Sequence, residues 1–206
     1  MLCAYGDGVN GDDVQVAAEQ CRRVLEPALE RDWSVPVPGL EFTVASVVAH
    51  ACEACLWYPA DVWSGTEDGA YEVRARADAP NERLLTSLLA GARILAATID
   101  AAPPTLRGFH PFGSPDPDGF AAMACDELLV HGDDAARGLG VPFPSNGRLA
   151  ALVLARLFPW HEVAAGEEPW DVLLWANGRI ELPERPRVGR WRWHSRPLSE
   201  WDGTGP

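Results

Sequence analysis

The sequence predicts a mainly α protein: a four-helix bundle with long crossovers and a short C-terminal extension. Two observations carry this. Four stretches, each of about 20 residues, place apolar side chains at helical spacing before Gly140. Connectors rich in Pro, Gly and acidic residues separate them, and helix does not continue through such segments. Composition agrees. The chain has 206 residues, 47% hydrophobic and 23% charged, enough for a sizeable core and unlike a disordered polymer.

The first helix is expected to open after Asp12 or Asp13, acids suited to an N-cap. It runs through Val14, Ala17, Ala18, Cys21, Val24, Leu25 and Ala28 and ends near Asp32. The prolines of VPVPGLEF make the next segment a connector. A second helix covers Thr43 to Val62, followed by the polar link SGTEDGAYEVRARADAP. The third spans Asn81 to Asp100, with Leu84, Leu85, Leu88, Ala92, Leu95 and Ile99 on one stripe. The Pro- and Gly-rich AAPPTLRGFHPFGSPDPDG reads as a loop. The fourth helix runs from Asp118 to Arg137, closed by Gly138 or Gly140 as a left-handed residue. These elements make residues 1–144 the bundle. Residues 145–206 form an extension packed on it. Its parts are a helix in NGRLAALVLARLF ending at Pro159, another in PWDVLLWANGR, and a Pro- and Trp-rich tail. The GRWRWH portion of that tail reads as a short strand or an extended strap.

Charge excludes some function classes. The net charge is -13, from 30 acids against 17 bases, so nucleic acid and anionic membranes are not expected partners. No apolar run approaches the roughly 20 residues of a membrane span. The N-terminal MLCAYGDGVNGDD has neither a basic nor an apolar leader region, so a cytoplasmic protein is expected. All 17 bases are Arg and Ile occurs three times, a bias of GC-rich coding. Five Cys in such a chain imply free thiols, with Cys21, Cys52, Cys55 and Cys125 on helices.

Helix four carries the clearest chemical anomaly. Its stripe reads Phe120, Met123, Glu127, Val130, His131, Asp134. Residues 127 and 131 are one turn apart, about 40° around the axis, so a carboxylate and an imidazole share a face that otherwise reads as core. A bare carboxylate is costly to bury there and calls for a partner or a metal. His50 on helix two lies on a stripe with Val47, Ala54 and Trp57. Set side by side, the two helices can bring His50, Glu127 and His131 to one point, a nitrogen–oxygen set that suits a catalytic zinc with one open position. On pattern alone a buried Glu–His hydrogen bond and a core histidine come ahead of a metal site as the account of them. Asp134 reads either as the acceptor orienting a ligand imidazole or as a last-turn acid held by Arg137. Trp57 is the tryptophan best placed to wall a pocket. Cys52 and Cys55 point about 200° and 140° away from His50 and read as core cysteines. His110, His161 and His194 lie in Pro- or Trp-rich connectors and read as packing residues.

Two blocks resemble a known family. DWSVPVPGLEFTVASVVAH, through Trp33, Pro36, Pro38, Gly39, Phe42, Thr43, Val44 and His50, resembles the opening of the mycothiol-dependent maleylpyruvate isomerases, within the DinB-like superfamily of metal-binding bundles. ACDELLVHGDDAARGLG resembles their second block, in Glu127, Leu128, His131, Asp134, Ala136, Gly138 and Gly140. The later PWDVLLWANGRIELP is similar to the family's "LL-x-x-x-x-GR" element. The resemblance implies a DinB-like bundle with His50, Glu127 and His131 as ligands of a divalent metal, most often zinc. It also implies mycothiol, the low-molecular-weight thiol of actinobacteria, as cosubstrate. One departure stands out: family isomerases carry a larger C-terminal domain than the segment that follows helix four here.

The function so implied is a metal- and mycothiol-dependent S-transferase or cis–trans isomerase acting on a small-molecule electrophile. The alternatives are a thiol-independent hydrolase or cyclase using the metal as a Lewis acid, and a non-catalytic bundle that binds a small ligand. A monomer or homodimer is expected.

Overall fold

The computed structural model describes residues 8–189 and 191–205, which contain six α-helices. Cys3 lies outside the described residues. Helix α1 is Gly11–Leu25, α2 Val44–Trp63, α3 Asn81–Ala101, α4 Pro117–Leu139, α5 Gly147–Leu157 and α6 Pro169–Ala176. No strand occurs among the described residues, and the architecture is a mainly α helical bundle.

The ends of the helices follow from local chemistry. Asn10, not an aspartate, caps α1: its side chain accepts from the Asp13 amide at 3.2 Å, while Asp13 accepts from the Asn10 amide at 3.3 Å. The expected continuation to Asp32 is corrected. α1 ends at Leu25 and tightens into a 3₁₀ turn over Glu26–Ala28, where Pro27 has no amide to donate. Thr43 caps α2 through the Ser46 amide at 3.2 Å. Asp116 caps α4 through the Gly119 amide at 2.9 Å, with Pro117 at the first helical position. Gly140, at φ 65°, supplies the left-handed residue that closes α4.

Helices α1 and α2 each pack on both α3 and α4, so α1 and α2 occupy opposite corners of the bundle. The chain therefore crosses the bundle between α1 and α2 and again between α3 and α4. At the α1–α4 contact a Cβ on Gly132 would stand 2.9 Å from Cys21 Sγ, so only glycine permits this approach. Cys21 donates its thiol to the Leu128 carbonyl at 3.1 Å. All four helical cysteines are free and buried. Burial pushes the Cys21 thiol up to about 12 and Cys52 to about 11, so neither is a nucleophile at neutral pH.

One reading of hydropathy is corrected. α3 is long and apolar enough by composition to cross a membrane, with a window of mean hydropathy 1.5. Its leucine stripe is nonetheless spent on the bundle: Leu84, Leu85, Leu88, Leu95 and Ile99 are buried. Arg83 and Arg93 interrupt the apolar run, which is the amphipathic pattern of a packed helix.

α5 packs on α4, and α6 packs on α5. The tail after α6 is an extended strap, not a strand. The His194 amide donates to the Leu157 carbonyl at 2.7 Å, and the Trp193 indole N–H points at Met123 Sδ at 3.4 Å. Buried Arg156 ties this strap to the start of α4. It donates to Asp116 at 2.7 Å, Asp118 at 3.0 Å and the carbonyls of His194 and Ser195 at 3.2 Å.

Candidate metal centre

α2 and α4 are adjacent, and each turns one anomalous face toward the other. His50 comes from the second turn of α2, and Glu127 and His131 from successive turns of α4. Their ligand atoms lie within 4.8 Å of one another. Glu127 Oε2 stands 3.1 Å from His131 Nε2 and 3.4 Å from His50 Nε2, and the two rings meet edge to face at 5.0 Å. These contacts are close but not aligned as hydrogen bonds. Glu127 Oε2 is buried with no donor directed at it. Such an orphaned carboxylate oxygen is uncommon and costly.

The electrostatics compensate within the cluster. Burial pushes the Glu127 carboxyl up, but the neighbouring His131 and His50 outweigh it and hold it well below the usual carboxylate range. Burial likewise pulls His131 down, and Asp134 and Glu127 outweigh that and raise it. Each group favours the charged form of the other, as in a site built around charge.

Asp134 contacts both His131 and Arg137. His131 Nδ1 stands 3.2 Å from Asp134 Oδ2, which fixes the ring and leaves Nε2 facing Glu127 and His50. The wholly buried Asp134 is also held by Arg137, and by Arg179 at 2.8 and 3.1 Å. An imidazole oriented by a carboxylate, itself held by cations, is the arrangement that supports metal-bound histidines. The donor chemistry therefore fits a divalent metal: two nitrogens, one carboxylate oxygen, a buried oxygen lacking a donor, and an oriented ring.

The trio borders two cavities. One, about 210 Å³, is polar and is lined by Asp126, Asn177, Arg179 and Trp191 beside His50, Glu127 and His131. The other, about 410 Å³, is lined by Phe42, Val47, Ala49, Ala75 and Ala77 and shares His50 and His131. Trp57 meets the His50 ring edge-on at 6.0 Å but lines a third cavity with Asp61, Tyr71 and His110. It does not wall the two cavities that contain the trio.

His110 packs on Tyr58 and Trp193, His161 on Phe158 and Trp175, and His194 bonds within the strap. None of them joins the trio. Sequence reasoning missed Asp126, Asn177, Arg179 and Trp191 as cavity residues. Arg179 did carry a signal, as the Arg of the Gly-Arg element after α6.

No curated protein and no solved structure matches the chain. A sequence model described as the mycothiol maleylpyruvate isomerase N-terminal domain matches residues 14–136, which contain all three members of the trio. That match covers more than half of the chain, which therefore belongs to the mycothiol maleylpyruvate isomerase N-terminal domain family.

Proposed function

We propose that this protein is a metal-dependent enzyme that uses mycothiol to attack an electrophilic small molecule. The observation that carries this reading is the convergence of His50, Glu127 and His131 between α2 and α4, inside the region matched to the family. His50 and His131 would hold the metal through Nε2 and Glu127 through a carboxylate oxygen, with zinc the best match to this donor set. A divalent metal bound there lowers the pKa of a thiol and favours its thiolate at neutral pH.

The remaining work belongs to the chain itself. Asp134 keeps the His131 ring in one orientation, and Arg179 keeps Asp134 in place. The side chain of His50 is 44% exposed and opens the trio to incoming ligands, whereas Glu127 and His131 at 17% are shielded. Asn177 and Asp126, hydrogen-bonded to each other at 2.8 Å, give the smaller cavity a polar wall for the sugar-like body of mycothiol. The thiol proton leaves to water and the sulfur attacks the electrophilic carbon. In transfer, a C–S bond forms while the leaving group departs with its electron pair. In isomerisation, sulfur adds to a conjugated double bond, the resulting single bond rotates, and the same sulfur is expelled.

The test is thiol consumption and product mass for zinc-loaded protein with mycothiol and a panel of electrophiles, beside His50→Ala. The expected result is product that requires both zinc and thiol and is absent in the variant. Product formed at the same rate without thiol would overturn the thiol reading in favour of Lewis-acid chemistry.

A further inference from the structure

We propose that the electrophile is uncharged and apolar, and that it binds in the larger cavity between α2 and residues 75–77. The inference rests on the functional reading above for the word electrophile, but the chemistry of the cavity stands independently. Phe42, Val47, Ala49, Ala75 and Ala77 make the greater part of this cavity's wall, with Ser46 and Glu53 as polar members beside the two histidines. Its volume of about 410 Å³ falls within the usual range for small-molecule sites. It borders His50 and His131, so a molecule seated there lies against the trio.

The charges around the cavity select the ligand class. Among the described residues no Arg or Lys lines it. Its one carboxylate, Glu53, is occupied: the Ala75 amide donates to it at 2.9 Å, which also fixes the loop that closes the cavity. Arg74 nearby is mostly exposed; it is paired with Glu72 at 2.7 Å and stands 4.0 Å from Glu53. A carboxylate ligand would meet Glu53 with no arginine or lysine among the described residues of the lining to receive it, and like charges brought together out of water are costly. The smaller cavity offers no remedy. Arg179, its only arginine among the described residues, gives Nε and Nη2 to Asp134 and Nη1 to the Asn177 carbonyl at 2.7 Å. A small dicarboxylate, the class to which maleylpyruvate belongs, thus finds no unpaired arginine among the described residues that line either cavity.

Phe42 adds an observation of a different kind. Its side chain is 58% exposed where it borders the cavity, although Phe is usually buried. An apolar ligand would cover that ring and gain from the contact. The polar cavity is then left to the thiol, and the two reactants approach His50 and His131 from separate compartments.

The experiment measures binding of two fluorescent probes to metal-free protein. They are neutral N-phenyl-1-naphthylamine and the dianion naphthalene-1,4-dicarboxylate. The expected result is binding of the neutral probe at least about tenfold tighter than the dianion. Ala77→Trp, which fills the cavity from an exposed position, and Phe42→Ser, which removes the exposed ring, should each weaken the neutral probe about tenfold. Equal or tighter binding of the dianion, or no response to either substitution, would overturn the proposal. Neither probe needs metal or thiol. If the neutral probe binds as expected while the thiol assay is silent, the cavity assignment stands and the enzymatic reading falls.

Discussion

α4 contributes to two buried charged clusters, and they differ in kind. At its start, Arg156 meets Asp116, Asp118 and two strap carbonyls, with four donor–acceptor contacts of 2.7 to 3.2 Å. At the middle of the helix, Glu127 lies among His50 and His131 with a buried oxygen that no donor reaches. The first cluster is complete without any other molecule, and its work is to pin the strap. The second is complete only when a cation or a ligand joins it. A satisfied buried network points to architecture, and an unsatisfied one points to binding.

The sharpest way to test that contrast is to break the satisfied cluster. Arg156→Met leaves two carboxylates beside an apolar side chain and frees the strap. Loss of one partner from a buried pair is expected to cost about 3–5 kcal/mol, read from urea unfolding. A cost below about 1 kcal/mol would mean that the network is not structural. A smaller effect is expected at Asp134, which belongs to both kinds of cluster. Asp134→Asn should lower zinc affinity about 10–100-fold in a chelator competition, as loss of a carboxylate behind a ligating histidine does. Unchanged affinity would confine Asp134 to holding Arg137 and Arg179.

The smallest effect concerns His110, a buried histidine outside both clusters. Burial pulls it from 6.5 to about 4, and the more distant Glu127 offsets only part of this. The folded value is the lower one, so the unfolded chain takes up the proton first as pH falls. The associated stability is fully present above pH 6.5 and is lost as pH drops toward 4. His110→Asn, which keeps an acceptor for the Phe112 amide, should flatten that acid limb by about 1–2 kcal/mol in unfolding measured across this window. Identical pH profiles for the two proteins would show that His110 protonates freely in the fold.

Much of this was legible from the sequence, for physical reasons. Glu127 and His131 are visible because helical spacing puts them on one apolar face, and His50 because its own stripe is otherwise core. The long crossovers are visible in their prolines. The end of α1 was not, because Ala28 continues the apolar spacing and is buried beyond Pro27 although the helix has stopped. The polar cavity was also hidden. Asn177, Arg179 and Trp191 come from segments whose position depends on how α5, α6 and the strap pack, and no local period encodes that. Arg156 carries no local signal, because its burial among two aspartates and the strap is purely tertiary. Ala75 and Ala77 carry no chemical signal at all; they matter because the Glu53–Ala75 hydrogen bond brings their loop over α2.

The central claim is that the unsatisfied cluster holds a metal. The direct measurement is metal content by mass spectrometry on tag-free protein purified without chelator, beside His50→Ala. The account predicts about one metal per chain in the wild type and its loss in the variant. A wild-type protein that stays metal-free after incubation with zinc would contradict it, and the trio would then be a buried Glu–His pair with a neighbouring histidine.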